Sequence, residues 1–420
     1  MMRFRTILAT GLLQLACGIV DAHASELILT HARVYPSPEA PRLDDATVVV
    51  QDGRIASLRH TSSRTAEPDP GTATVIDCTG MTVTAGLWNS HVHILPVALL
   101  HAEEKTGSQL TAALQDMLTR WGFTTVFDIA SILANTNAIR TRIASGEILG
   151  PRILTTGEPF FPEHGVPSYV SKYLDENRIV LPDDLTSAAA VERVEREIRA
   201  GADGIKIFAG SIEGDSVLLM PLDRARAIVQ EAHRLHRLVF VHPSNIAGID
   251  IAVNSGADVL AHVTSDDEVW PPALVGRMRA AHISLIPTLT LFDVEARKGG
   301  APLDVEQKIV DRAVARLRAY SAAGGDILFG TDVGYIYQFD TSEEYQLMQR
   351  AGMRFPQILA SLTSNPARRF GFAGHSGRIA VNMDADLTVL RGDPGTDISA
   401  FSRVSYTIRA GKVIFRETPQ

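Results

Sequence analysis

The chain has 420 residues, 45% of them hydrophobic and 21% charged, with a net charge of −8. That balance excludes a disordered or collagen-like polymer, and a mildly acidic surface disfavours nucleic acid and anionic membranes as partners. With only Cys17 and Cys78, the fold must rest on its apolar core rather than on a disulfide framework.

In chain order, Met1–Ala24 reads as a secretory leader. Arg3 and Arg5 come first, then the apolar run Ile7–Val20, then Ala22-His23-Ala24 as a small-x-small cleavage site. The run has 14 residues, short of the ~20 needed to span a bilayer. A periplasmic or secreted protein is expected, with cleavage near Ala24. Lipidation at Cys17 is disfavoured because Gln14 stands where an apolar residue belongs. Without the leader the net charge is −9.

Four short strand-like runs follow, at Glu26–Val34, Ala46–Val50, Arg54–Leu58 and Thr74–Asp77, with turns at Asp52-Gly53 and Asp69-Pro70-Gly71. Ala385–Leu390, Val404–Ala410 and Lys412–Phe415 are similar runs at the other end. Neither end has enough strands for a stable sheet alone. They are expected to pair into one small discontinuous β-sandwich domain built from residues 25–85 and 375–420.

Between residues 86 and 374 helical patterns alternate with β-branched runs. Thr186–Ala200 sets Val191, Val194 and Ile198 on one face, with Glu192/Arg196 and Glu195/Arg199 as i,i+4 pairs. Leu222–Arg237 repeats the pattern. Asp304–Tyr320 opens on Asp304 with Gln307 three later, close to a capping box. After several helices comes Gly, one or two residues, then a strand: Gly122, Gly201-Ala202-Asp203, Gly256-Ala257-Asp258 and Gly325-Asp326. Eight strand candidates fall near Val83, Val126, Ile153, Ile207, Val239, Leu260, Leu285 and Leu328. Eight such units imply parallel pairing and a (β/α)8 TIM barrel. No Gly-x-Gly-x-x-Gly follows the first strand to favour a doubly wound sheet.

Reactive groups in such a barrel sit at the C-terminal strand ends. The first strand runs into His91-Val92-His93, the fifth ends at His242, the sixth at His262 and the eighth at Asp332. His91 and His93, two apart, share a face of their strand. Imidazoles with a carboxylate suit zinc, and such a site lowers the pKa of bound water to about 7. A single histidine is more often a surface or hydrogen-bonded residue, and His23, His60, His233, His236, His282 and His375 are read so. Lys206 between Ile205 and Ile207 is odd as an inward residue because burying an ammonium is costly; a solvent-facing or ion-paired lysine is the alternative. Asp128 is left open between a loop cap and a carboxylate supporting the site.

The order His-x-His, Lys, His, His, Asp resembles the amidohydrolase superfamily of metal-dependent hydrolases, in its imidazolonepropionase-like and Xaa-Pro dipeptidase-like subgroup. Val83–His93 is similar to its opening motif, Ala202–Ile207 to its fourth strand and Phe329–Asp332 to its eighth. Thr363–Arg368, Gly377–Ile379 and Ala385–Leu390 are similar to the stretch leading into its β domain. The resemblance implies two divalent metal ions, zinc by donor type, and a CO2-derived carbamate on Lys206 bridging them. It implies His91, His93 and Asp332 on one ion and His242 and His262 on the other. A hydroxide between the metals would attack a carbonyl while Asp332 passes its proton to the leaving nitrogen. Ala85 and Asn89 depart from the pattern at structural positions. Pro162-Glu163-His164-Gly165 replaces a Gly-Gly-His-like turn, with His164 the candidate substrate contact. Pro243-Ser244-Asn245 after His242 departs where a second histidine is usual, which removes one supporting contact.

The expected function is therefore hydrolysis of an amide, cyclic amide, N-acyl amino acid or dipeptide. An esterase or lactonase on the same metals is the alternative enzyme, and a non-catalytic periplasmic binding protein the alternative of another class. The partner is a small-molecule substrate, and a homo-oligomer is compatible with the reading. Specificity is expected from the loops 95–107, 158–178, 292–303 and 334–341.

Overall fold

The computed structural model describes residues 26–61, 73–177, 180–181, 185–214 and 216–418. The leader with Cys17, the turn at Asp69-Pro70-Gly71 and Arg178 of the loop 158–178 lie outside the described residues.

Eight parallel strands carry the central unit. They are β1 (Leu87–Val92), β2 (Phe123–Asp128), β3 (Arg152–Thr155), β4 (Gly204–Phe208), β5 (Leu238–His242), β6 (Val259–Ala261), β7 (Ser284–Ile286) and β8 (Asp326–Ile327). β1, β2 and β3 form one sheet, and β4 to β8 a second in chain order. The sheets meet at both edges. Between β3 and β4, Asp203 N donates to Thr155 O at 2.7 Å and Phe160 bridges Ile207. Between β8 and β1, Ser90 N donates to Phe329 O and His93 N to Val333 O, both at 2.8 Å. The ring is the (β/α)8 TIM barrel expected from the alternating pattern.

Side-chain alternation sorts the residues of each strand. On β4, Ile205 and Ile207 pack outward with the helices, leaving Lys206 to face inward. Inside the ring Trp88, Phe127, Phe240, Val259, Ile286 and Leu328 form a separate apolar layer. Phe370 closes it from below, its ring 5.0 Å from Phe127 and 5.8 Å from Trp88. The barrel floor is therefore solid, and polar groups can gather only above it.

Three expectations need correction. The strand around Val83 is Met81–Ala85, which pairs with Glu26–Tyr35 and Leu387–Arg391 outside the barrel; the first barrel strand begins after Gly86. The helix Leu303–Ala322 starts one residue before Asp304, and Asp304 bonds Lys308 instead of capping it. In the helix Ser187–Arg199, the buried face carries Arg193 and Glu197, paired at 2.6 Å, beside Ala190 and Val194. Arg193 is drawn inward because it donates to Glu158 O and lies over the Phe160 ring, which tethers the loop after β3. Gly210–Glu213 and Ser216–Leu219 form an antiparallel hairpin after β4 that the sequence reading missed.

Strands from both chain ends do pair. One sheet runs through Lys412–Arg416, Val404–Arg409, Leu387–Arg391, Met81–Ala85, Glu26–Tyr35, Leu43–Gln51 and Arg54–His60, with Thr74–Asp77 also along Glu26–Tyr35. It has its own core around Leu29, Val48, Val83, Leu387 and Ile408. Thr388 Oγ1 donates to Gly122 O at 2.7 Å and Thr407 Oγ1 to Thr119 O at 2.6 Å, fastening this sheet to the turn before β2.

Candidate metal centre

β1 and the turn after β8 build the first half of the site together. Asn89 Nδ2 donates to Thr331 Oγ1 at 2.8 Å, and Asp332 N donates to His91 O at 2.9 Å. Gly330 makes this approach possible: a Cβ there would lie 2.3 Å from Ile286 Cγ2 and 2.8 Å from His91 Cβ. Asp332 then adopts φ 62°, a left-handed conformation costing roughly 1–3 kcal/mol, which turns its carboxylate onto the histidines.

Asp332 Oδ1 lies 3.0 Å from His91 Nε2 and 2.8 Å from His93 Nε2, while Oδ2 is 4.0 Å from His262 Nε2. The His91 ring centroid is 4.5 Å from that of His262, which is 4.8 Å from that of His242. Five of the predicted residues thus form one buried group. Lys206 is the sixth: it is 1% exposed, makes no hydrogen bond or ion pair among the described residues, and sits 5.6 Å from the Phe208 ring centroid.

For three of the imidazoles, which nitrogen is offered is set by the partner of the other. His93 Nδ1 is 3.1 Å from Ala130 O, a carbonyl that can only accept, so Nε2 carries the free lone pair. His262 Nδ1 meets Thr288 Oγ1 at 2.7 Å, again leaving Nε2. For His242 the order reverses: Nε2 meets Ser244 Oγ at 3.1 Å, so Nδ1 is left to face the group. The departure at Pro243-Ser244-Asn245 therefore costs no supporting contact, since Ser244 makes one.

Burial holds the His91, His242 and His262 rings neutral. Loss of solvent lowers His91 and His242 to about 3 and His262 well below its ordinary value, despite the nearby Asp332 carboxylate. Burial also pushes Lys206 down to about 7. Burial alone would raise Asp332, but the imidazoles of His91 and His262 outweigh it and hold the carboxyl well below its usual range. Neutral imidazoles and an ionised carboxylate are the protonation states a divalent cation requires.

The donor set passes a further test. Asp332 Oδ1 is fully buried beside two ring nitrogens, yet neither contact has hydrogen-bond geometry. The two ring nitrogens lie 3.3 Å apart in hydrogen-bond geometry, which leaves the carboxylate oxygen as the buried acceptor that a cation would satisfy. His91, His93 and Asp332 offer ligand atoms all within 4.8 Å of one another. The residues fit a metal ion.

Asp128 supports the site through its loops. Its carboxylate accepts from Ile94 N, Thr136 Oγ1 at 2.8 Å and Thr155 Oγ1 at 3.0 Å, and from Ser131 Oγ. It thereby fixes the turn that presents Ala130 O to His93. His164 is not brought to the group. Gly165 N donates to Pro162 O at 2.9 Å, closing a turn that puts the two central side chains in solvent, and His164 lies 3.5 Å from Glu163 with its ring exposed.

A family model described as the amidohydrolase family matches residues 82–414. The chain belongs to the amidohydrolase family. Among curated relatives, the ochratoxinase of Aspergillus niger is 26% identical over 368 residues, covering 78% of this chain and 74% of its own. A solved prolidase complexed with N-methylphosphonate-L-proline superimposes with a TM-score of 0.75 at 25% identity, covering 94% of this chain and all of that one. A Xaa-Pro dipeptidase with methionine bound in its active site gives 0.76 at 22% identity, with 94% of this chain covered, a likeness of fold. Among the described residues, no helix is long and apolar enough to cross a membrane.

Proposed function

We propose that this amidohydrolase is a metal-dependent hydrolase of a carbon–nitrogen bond, acting on an N-acyl amino acid, a dipeptide or a cyclic amide. The observation that carries the reading is the buried convergence of His91, His93, His242, His262, Lys206 and Asp332 toward the C-terminal strand ends, with the ring nitrogens of His93, His242 and His262 assigned by their outer partners. Similarity to a prolidase that binds a proline-bearing phosphonate supports a peptide-like bond beside a carboxylate.

In this reading His91 Nε2, His93 Nε2 and Asp332 hold one divalent ion, and His242 Nδ1 and His262 Nε2 hold a second. Zinc suits this nitrogen and oxygen set. When bound, the ions supply an activated water and polarise the scissile carbonyl. The chain's own residues do the rest. Asp332, one oxygen toward His91 and His93 and the other toward His262, takes the water's proton and returns it to the leaving nitrogen. Lys206, lowered to about 7, is the free amine in about half of the molecules near neutrality. Its nitrogen would add to the carbon of CO2 and lose a proton, giving a carbamate anion that could serve as a further ligand for both ions. The solid floor under the site confines substrate to the loop side. The division into a composite β domain from both ends and a barrel over 86–374, and export by the leader, belong to the same proposal.

Zinc-reconstituted protein assayed on matched N-acyl amino acid amides and esters tests the bond class. Cleavage of the amides is expected. Activity confined to the esters would overturn the carbon–nitrogen assignment.

A further inference from the structure

The helix Leu289–Lys298 follows β7 and begins behind His262. Its N-cap, Thr288, is a residue type that ordinarily accepts a hydrogen bond from the helix's first free amides, yet its side chain makes no such cap. Thr288 Oγ1 is turned the other way: it donates to Pro287 O at 2.9 Å and meets His262 Nδ1 at 2.7 Å. A hydroxyl has one proton. With that proton on Pro287 O, Oγ1 must accept from His262 Nδ1–H, which fixes the ring with Nε2 toward Asp332. The turn also holds Thr288 at φ 46°, a left-handed conformation unfavourable for a β-branched residue.

Two things must then be supplied from elsewhere: acceptors for the amides that Thr288 leaves uncapped, and a force that keeps Thr288 in its strained turn. Glu344, on the helix Ser342–Arg350 after β8, supplies both. Its Oε1 accepts from Leu289 N at 2.8 Å, and its Oε2 accepts from Thr290 N at 2.7 Å and Thr290 Oγ1 at 2.9 Å. The side chain is fully buried and has no cationic partner among the described residues. A carboxylate so placed, where burial is costly, is held by those amides and the helix N-terminus alone.

We propose that Glu344 is a positioning residue for the second metal ion. By capping the helix in place of Thr288 it frees the Thr288 hydroxyl to orient His262. The proposal rests on the reading of His262 as a ligand. Glu344 touches neither substrate nor ion, and it acts through Thr288.

The test is a chelator competition on the full-length zinc-loaded protein, resolving the affinities of the two ions, alongside thermal melts of the metal-free protein. Glu344→Gln replaces one acceptor oxygen by an amide that faces a backbone N–H. It is expected to weaken one ion by about tenfold and leave the other unchanged. Thr288→Val is expected to weaken the same ion, Thr288→Ser to retain it, and the double variant Glu344→Gln/Thr288→Val to bind no more weakly than Thr288→Val alone. Lower melting of Glu344→Gln with both affinities intact would overturn the proposal and leave Glu344 a helix cap. So would additive losses in the double variant. If His262→Ala leaves both affinities unchanged, the ligand reading itself is what fails, and this inference falls with it. Should Glu344→Gln not fold, Glu344→Asp, shorter by one methylene, carries the same comparison.

Discussion

Where the barrel strands begin, Asp203, Asp258 and Asp326 stand at or beside the starts of β4, β6 and β8, and their hydrogen bonds are filled. Asp203 accepts from Thr155 N and pairs with Arg140, Asp258 accepts from Val239 N and pairs with His233, and Asp326 accepts from Ser284 Oγ and pairs with Arg368. The left-handed residues that turn helix into strand at this end include Gly122 and Gly256. His236 and His282 are also left-handed there; where the strands finish, left-handed backbone falls on His262 and Asp332 and also on Ala130, Ser244 and Thr288, which prefer it less. Several polar atoms there, Asp332 Oδ1 and His91 Nδ1 among them, have no hydrogen-bond partner among the described residues. The first end is the more relaxed, with its aspartates paired; the other is more strained and short of a counter-ion. Strain and unfilled lone pairs together mark the end built for a ligand.

That contrast can be broken at either end. The largest effect is expected from Asp332→Asn, which should lower kcat by about 10²–10⁴-fold on any amide the wild type cleaves. An unchanged kcat would remove Asp332 from the proton path. Next comes metal removal: stripping the ions should lower the melting temperature, by the equivalent of about 2.7 kcal/mol for each ion that was present at a hundred times its dissociation constant. A melt unaffected by chelator would mean that the strained end is not completed by a cation. At the relaxed end, Asp258→Ala strands Val239 N and should cost about 1–3 kcal/mol in denaturant unfolding, with kcat per folded molecule unchanged. Loss of kcat there would couple the two ends. The smallest effect belongs to His164→Ala, expected to change stability by less than about 0.5 kcal/mol because its ring is exposed. KM should stay within measurement error, and a large rise would restore His164 as a substrate contact.

The histidines and Asp332 were legible because they stand at or just past strand ends, where chain order alone reports them. Lys206 was legible as an anomaly, a lysine between two isoleucines, and its inward position follows from strand alternation. The supporting partners were not. Thr288 reaches His262 across 26 residues, and Glu344 reaches Leu289 across 55, so no local spacing announces either contact. Ser244 stood in plain view beside His242 but was read as a loss, because a hydroxyl's use depends on a backbone turn that the sequence does not display. The first strand was misplaced onto Val83 because Met81–Ala85 and Leu87–Val92 are two apolar runs split by one glycine, and which sheet each joins is decided by partners far along the chain. The turn holding His164 was read by analogy with another loop, whereas Gly165 closes a turn that sends both central side chains outward.

The central claim is that the strained end holds two ions bridged by a modified lysine. Metal content per chain, measured on protein purified without chelators together with the intact mass, tests it most directly. The account predicts two ions per chain and a mass increased by one CO2, located by peptide mapping to Lys206. A chain that binds no divalent metal, or one ion beside an unmodified Lys206, would contradict it.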